Sequence, residues 1–454
     1  MVIFLMTKID FSQLTGEIIT KNNPLYKNSI LSWNRAIEKF PSAIIYCLNK
    51  SDIVNAIKFV RKNNLKFRIR SGCHHYEGFS TGDDLIVIDV SKINAISLDK
   101  KNNIATIEAG ARNREVYEAI CSEGYAFPGG GCPTVGAVGF TLGGGWGYSA
   151  RYLGLGSDNL LEAELIDYNG NILIANEKEN SDLFWALKGA GAGNFGVVTK
   201  LTFKLTHQIK NATLIHIDYF NISLEEKVKV FLTWQKYFKT IDNRFNCKLS
   251  TYNSLDKGSG SHITGIFYGT SEEAKEVLKP FLNVLENVES EFIYQSVLQI
   301  NRDIQDAHPD YESYKSTGRF ITRDYTEEEV KNLLSILEER PKGSIYAALS
   351  LYGMGGNIKT TPKDSASFYY RDADAILGLQ SVWEGREFAE INKAWVVDKF
   401  TNYTKPITAG SFIAFPIKEL DNYEKEYYGE NVSKLKEIKK KYDPINLFNF
   451  EQSL

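Results

Sequence analysis

Seventeen of the 35 glycines in this 454-residue chain fall within the 73 positions from Gly124 to Gly196. Glycine loses more conformational freedom on folding than any other residue, so such density disfavours long helices. It points to turns and to backbone drawn close to something, most simply a ligand. From residue 207 to 340 the composition changes to longer polar and charged stretches with helical patterns, which sets a boundary near residue 206. At 43% hydrophobic and 24% charged, the chain is an ordinary globular one, which excludes a disordered, collagen-like or disulfide-stapled protein. With 53 Lys+Arg against 56 Asp+Glu, it lacks the basic footprint of a nucleic-acid binder.

No stretch approaches the roughly 20 apolar residues of a membrane span. The N-terminal run Met1-Val-Ile-Phe-Leu-Met-Thr-Lys8 has no basic region before it and no small-residue cleavage site. The expectation is a cytoplasmic protein without a targeting segment. The five cysteines, Cys47, Cys73, Cys121, Cys132 and Cys247, form no CxxC pair, which argues against a zinc ribbon or redox dithiol. Cys47, Cys121 and Cys247 read as small buried hydrophobes.

Periodicity predicts a helix over 51–63 capped by Ser51, and strands over 66–70, 84–90 and 104–108. A helix follows over 113–123 with Asn113 as its cap. Alternating runs on either side of Asn169-Gly170 predict a hairpin. A helix over 181–188 and a strand over 197–205 complete the first part. Beyond it, helices over 225–239, 271–286 and 326–340 alternate with strands over 212–220, 262–268 and 343–351. That order fits an antiparallel sheet with helices on one face. A charged helix over 431–441 stands near the C-terminus.

Three glycine-bearing segments carry chemistry. Gly191-Ala-Gly-Asn-Phe-Gly196 matches GxGxxG, but a helix precedes it and a strand follows, the reverse of a dinucleotide fingerprint. NAD binding through it is rejected; a turn offering N–H groups to a nucleotide, or a structural turn, remains. Arg70-Ser-Gly-Cys-His-His-Tyr-Glu-Gly78 follows a strand and suits a pyrophosphate, with an arginine nearby. Its paired histidines could also ligate a metal, but His207, His216, His262 and His308 are isolated, so no metal is expected. Gly129-Gly-Gly-Cys132-Pro-Thr-Val-Gly136, followed by Gly143-Gly-Gly-Trp-Gly147, holds a cysteine between glycine turns and a proline. That is a costly way to bury a spare thiol, and a reactive or covalently attached cysteine is the sharper reading.

Taken in order, these segments resemble the berberine bridge enzyme-like FAD-linked oxidases of the vanillyl-alcohol oxidase superfamily. Asp182-Leu-Phe-Trp-Ala-Leu-Lys-Gly189, Gly193-Asn-Phe-Gly-Val-Val198, Tyr427-Tyr-Gly-Glu-Asn-Val-Ser-Lys-Leu435 and the run from Lys441 to Leu454 add to the resemblance, which spans nearly the whole chain. The resemblance implies an α+β fold. A PCMH-type FAD-binding domain would be built from residues 1–206 and 406–454, with a substrate domain of 207–405 inserted between them. It implies a bicovalent FAD, with His74 bonded to the flavin 8α-methyl carbon and Cys132 to ring carbon C6. Imidazole and thiolate are the nucleophiles able to form such bonds. Flavin contacts are implied at Arg70, Ser71, Gly72, Cys73, His75 and Gly78. The second motif adds Pro133, Thr134, Gly136, Ala137 and Gly139, with Gly144 beyond it. Asn194, Gly196, Val198 and Asn446 complete the set.

The chain departs from the family pattern in several places. Cys73 and His75 replace a usual glycine and a usual serine or asparagine, while Val138 and Phe140 replace a usual glycine and histidine. Ala137 stands where the family gates oxygen and is small enough to admit O2. Phe415 occupies the place of a catalytic tyrosine and cannot remove a proton. The segment Phe368-Tyr-Tyr-Arg371 makes Tyr370 a candidate base, with Arg371 beside it to lower its pKa or bind an acidic substrate. Tyr352 is a further candidate. The resemblance implies an oxidase that passes a hydride from an alcohol, sugar-type or secondary-metabolite substrate to flavin N5, with O2 reduced to hydrogen peroxide. A dehydrogenase with another acceptor and a flavin-binding protein without catalysis are the alternatives. The partners expected are a small-molecule substrate and O2, with no nucleic acid and no membrane; the sequence is silent on oligomeric state.

Overall fold

The computed structural model describes residues 9–454; the N-terminal run Met1–Lys8, read above as no targeting segment, lies outside the described residues. Its sixteen strands fall in three sheets. The first holds Glu17–Thr20 (β1), Ala43–Tyr46 (β2), Phe67–Arg70 (β3) and Ile86–Asp89 (β4) in the order β1-β2-β4-β3. β2 and β3 both run parallel to β4. Such strands need crossovers, and the helix Lys50–Lys62 supplies one. That helix is capped by Asn49, whose side chain accepts from the Asp52 N–H at 3.1 Å, not by the expected Ser51. Asn49 has the extended backbone of an N-cap, whereas Ser51 already lies inside the helix.

The second sheet is antiparallel: Ile96–Asp99 (β5), Ile104–Glu108 (β6), Leu160–Ile166 (β7), Ile172–Asn176 (β8) and Val197–Lys204 (β9), in the order β5-β6-β9-β7-β8. β7 and β8 are the expected hairpin, closed at Gly170 in the left-handed region (φ 82°).

The third sheet has seven antiparallel strands. Asn211–Tyr219 (β10), Phe245–Ser254 (β11), Gly258–Phe267 (β12), Glu289–Ser296 (β13), Ser313–Ile321 (β14), Ser344–Gly353 (β15) and Ala375–Trp383 (β16) lie in the order β13-β10-β12-β11-β15-β16-β14. One face buries Cys247, Leu249, Ile263 and Leu351 against Val230, Phe231 and Trp234 of the helix Leu224–Phe238. The alternation of β11 turns Lys248, Ser250, Tyr252 and Ser254 to the other face, where they line a cavity. The expected helix over 271–286 is two short pieces, Ser271–Val277 and Lys279–Leu282. Pro280 lacks the N–H that a continuous helix needs there.

The C-terminal residues return to the first part of the chain. Lys439, on the helix Val432–Tyr442, is buried and donates to the Asn194 carbonyl at 2.7 Å, and the Leu454 N–H donates to Asn194 Oδ1 at 2.9 Å. Phe448 packs with Ala43, Ile45 and Ile88 of the first sheet. Among the described residues no helix is long and apolar enough to cross a membrane.

Candidate active site

The loop after β3 and the loop before the helix Ala137–Leu142 meet backbone to backbone. A Cβ on Gly72 would stand 2.3 Å from the Gly136 nitrogen, so only glycine allows this approach. The Cys132 loop is tied to the start of the helix Asn113–Cys121. The Asn113 and Arg114 N–H groups donate to the carbonyls of Val135 and Pro133, each at 3.0 Å, and the Asn113 side chain donates to the Cys132 carbonyl at 3.2 Å. Asn113 therefore is not the cap it was expected to be. Glu115 closes a capping box on the Arg112 N–H at 2.8 Å, which leaves the Asn113 amide for the loop.

His74 and Cys132 line one cavity of about 1520 Å³. His74 stacks on Trp33 with ring centroids 5.1 Å apart, and its Nε2 is 2.7 Å from Thr134 Oγ1. Burial, aided by the charge of Arg112, pushes the His74 imidazole down to about 3, so it is neutral at ordinary pH. His75 is pushed down to about 4 by burial, and its Nδ1 accepts from the N–H groups of Glu77 and Phe79 at 3.2 and 3.4 Å. Burial raises the Cys132 thiol, opposed by hydrogen bonds from Thr134 and Val135.

Ser71, Gly72, Cys73, His75, Gly136, Gly139, Asn194, Gly196 and Val198 also line the cavity. The remaining sequence-derived positions do not. Arg70 is 3% exposed and bonded to Asp89 at 2.6 Å, so its guanidinium serves a buried ion pair and is not free for a phosphate. Gly78, Pro133, Thr134, Ala137, Gly144 and Asn446 shape the loops: Thr134 through His74, Pro133 through Arg114, Gly144 by its close approach to Phe368, and Asn446 by a left-handed turn (φ 49°). Gly78 needs its positive φ of 71° against Ile37. Ala137 is 2% exposed in the first turn of its helix and is not part of the cavity lining.

Two substrate-side candidates stand outside the cavity, with their polar groups engaged elsewhere. The Tyr370 hydroxyl donates to the Glu426 carbonyl at 2.9 Å and its ring stacks on Phe320; burial holds the phenol well above its ordinary value, and it lies outside the cavity wall. Arg371 is fully buried and bonded to Asp158 at 2.6 and 3.1 Å, so it meets no substrate. Both residues lock the segment before β16 to the rest of the chain. Tyr352 does line the cavity, edge-on to Trp146 at 4.9 Å, with Lys248 Nζ 5.3 Å from its ring centroid. Lys248 is held above its ordinary value, because Tyr352, Tyr346 and Tyr148 outweigh its burial, and it stays charged. Phe415 stacks on Tyr76 at 5.2 Å. Lys248 and Glu312 belong to no motif and were missed. The alternation Phe245-Asn-Cys-Lys-Leu-Ser was the signal for Lys248.

The cavity fits an extended flavin dinucleotide. Its volume exceeds the ~300–1,000 Å³ of ordinary ligand sites. A Cβ on Gly139 would meet nothing within 4 Å, and one on Gly193 would meet only Phe450 at 3.5 Å. The buried Trp33 Nε1 has no hydrogen-bond partner among the described residues, as expected of a donor awaiting a ligand.

A family model described as an FAD binding domain matches residues 41–176, and one described as berberine and berberine like matches 411–454. The uncharacterized FAD-linked oxidoreductase YvdP of Bacillus subtilis is 34% identical over 451 residues, 98% of either chain. Among solved structures, Physcomitrella patens BBE-like 1 superposes with a TM-score of 0.87 at 24% identity, covering 96% of both chains. The Acremonium strictum glucooligosaccharide oxidase, solved for the functional roles of its 6-S-cysteinyl, 8 alpha-N1-histidyl FAD, gives 0.86 at 20% identity over 96% of this chain and 95% of its own.

Proposed function

The chain belongs to the berberine bridge enzyme-like FAD-linked oxidoreductases, and from that premise we propose an oxidase whose FAD is held by two covalent bonds, to His74 and Cys132. Its substrate is an alcohol, a sugar-type compound or a secondary metabolite, and O2 is the acceptor. The observation that carries the reading is that His74 and Cys132 line one cavity of about 1520 Å³. When bound, FAD would supply the two-electron chemistry by which a hydride leaves a substrate carbon and the electrons pass on to O2, giving hydrogen peroxide.

The chain's own side chains do the rest. His74 is neutral, and the contact of Nε2 with Thr134 leaves Nδ1 for the bond. His75 has Nδ1 engaged by backbone N–H groups, which favours His74 of the two. Cys132 is positioned by the helix N-terminus that grips its loop. Tyr352, beside the charged Lys248, holds the substrate hydroxyl by a hydrogen bond. The same reading divides the chain at 206 and 405, the sheet β10–β16 forming the substrate side.

Acid precipitation of the purified protein tests it. A yellow pellet and an intact mass raised by one FAD are expected. A colourless pellet with FAD in the supernatant would remove the covalent links, and a protein that binds no added flavin would remove the cofactor.

A further inference from the structure

Removing a hydride from a hydroxyl-bearing carbon requires that the hydroxyl proton go to a base, and Phe415 has none to offer. The cavity contains other acidic and basic groups, and several are already engaged; Glu289 and Glu291 of β13 and Glu384 after β16 also line it without a side-chain partner among the described residues. Asp218 is bonded to His262 at 2.6 Å. Asp303 accepts from Gln295 at 2.6 Å and Gln299 at 2.7 Å. Lys248 stays protonated. Glu312 differs from all of these in pairing with Trp33, on which His74 stacks. It lines the cavity, and among the described residues its carboxylate takes no hydrogen bond, the one charge acting on it being that of Lys248.

Its backbone, by contrast, is clamped. The Arg35 N–H donates to the Glu312 carbonyl at 2.7 Å, and the Glu312 N–H donates to the Trp33 carbonyl at 3.4 Å. Asn34 pairs with Glu312 in a parallel bridge, and its side chain donates to the carbonyls of Tyr314 at 3.0 Å and Tyr76 at 3.2 Å. The Glu312 backbone is therefore fixed beside the tryptophan on which His74 stacks, with its carboxylate on the cavity wall. The groups that face it electrostatically are Lys248 of β11, Cys132 of the glycine loop, Tyr76, Tyr314 and Tyr346. Glu312 and Cys132 line the same cavity, and the Glu312 charge helps raise the Cys132 thiol. In an isoalloxazine ring C6 is separated from N5 by one ring-fusion carbon, so a flavin bonded to Cys132 through C6 would present its reacting edge to the cavity that Glu312 lines.

We propose that Glu312 is the catalytic base of this enzyme. The substrate O–H proton passes to the Glu312 carboxylate as the C–H hydride, with its electron pair, leaves to FAD; the C–OH becomes C=O, and the proton then passes to solvent. The proposal rests on the flavin reading above. Burial, only partly offset by Lys248, raises the carboxyl to about 7, which suits a group that must both take and release a proton near neutrality.

Glu312→Gln and Glu312→Asp, each loaded with flavin, test the proposal. With cellobiose or benzyl alcohol as the reducing probe, anaerobic bleaching of the wild-type flavin should quicken as pH rises through about 7. E312Q should lose that limb and about 10²-fold or more in rate, E312D should keep part of both, and covalent flavin content should be unchanged. Two readouts need no turnover. In flavin-free protein, E312Q removes a negative charge beside Cys132, so iodoacetamide should alkylate Cys132 faster at pH 7–8. In loaded protein, sulfite should bind E312Q more tightly, and the ratio of its affinity to that of wild type should grow through about pH 7. Flavin reduction in E312Q with the wild-type rate and pH limb would overturn the proposal. So would unchanged Cys132 alkylation, or a sulfite ratio of one throughout. Failure of the wild-type protein to bind FAD would instead sink the flavin reading, while the alkylation comparison still reports on Glu312.

Discussion

At the scale of single residues, His74 and His75 are adjacent in the chain yet differ in which ring nitrogens are free. His75 commits Nδ1 to the N–H groups of Glu77 and Phe79, while His74 is held at Nε2 by Thr134. His74→Ala and Cys132→Ala, made singly, are expected to keep flavin in the denatured pellet through the other link, and the double variant to release it. Flavin absorbance of the pellet measures this, and retention by the double variant would refute both assignments. The sequence made these residues legible because each sits in a long motif. It did not make side-chain direction legible. Arg70, Tyr370 and Arg371 stand in similar motifs, but their polar atoms are taken by Asp89, the Glu426 carbonyl and Asp158. Those partners are 19, 56 and 213 residues away. No local spacing reports such a pairing.

At the scale of elements, the Arg371–Asp158 pair joins the segment before β16 to the turn before β7. Arg371→Met leaves Asp158 buried without its countercharge. A loss of about 3–5 kcal/mol in stability is expected, read by urea unfolding. Because Arg371 lies outside the cavity, KM should stay unchanged; a raised KM with intact stability would restore a substrate role. Elements that follow a single periodicity were legible, among them β6 at Ile104–Glu108 and the β7–β8 hairpin. The strands β11, β13, β14 and β16 were not assigned. β14 and β16 are buried at almost every position and so show little alternation, while β13 is an edge strand with most side chains exposed or half-buried. Their order in the sheet depends on pairing between distant segments, which the pattern of one strand cannot carry.

At the scale of the whole molecule, buried neutral histidines set the response to acid. His74 and His75 fall from an ordinary 6.5 to about 3 and about 4 on folding. Between those values the unfolded chain binds protons that the native chain does not, so stability falls as pH drops from about 6.5 toward 4. Glu312 has the opposite sign: its carboxyl is raised from 4.5 to about 7, and its contribution is lost as pH rises between them. In flavin-free protein a thermal midpoint that declines between pH 6.5 and 4 is expected, by scanning calorimetry; a midpoint unchanged or rising over that range would contradict the burial of the two imidazoles. The mixed fold and the antiparallel middle sheet were legible from element order. The cavity was not, because its walls come from the loop after β3, the glycine loops, one face of β10–β16 and the C-terminal residues.

That last wall has a consequence in time. Asn194 takes hydrogen bonds from Lys439 and Leu454, the former 245 residues later in the chain. At about 5–20 residues per second, a ribosome needs roughly 12–50 s to deliver that partner after Asn194 has left the peptidyl-transferase centre. Throughout that interval the first two sheets must wait beside an unfinished cradle while the whole middle sheet is made. The cavity wall at Asn194 is thus completed only after the whole middle sheet has been made, and a chain stopped before Lys439 lacks it.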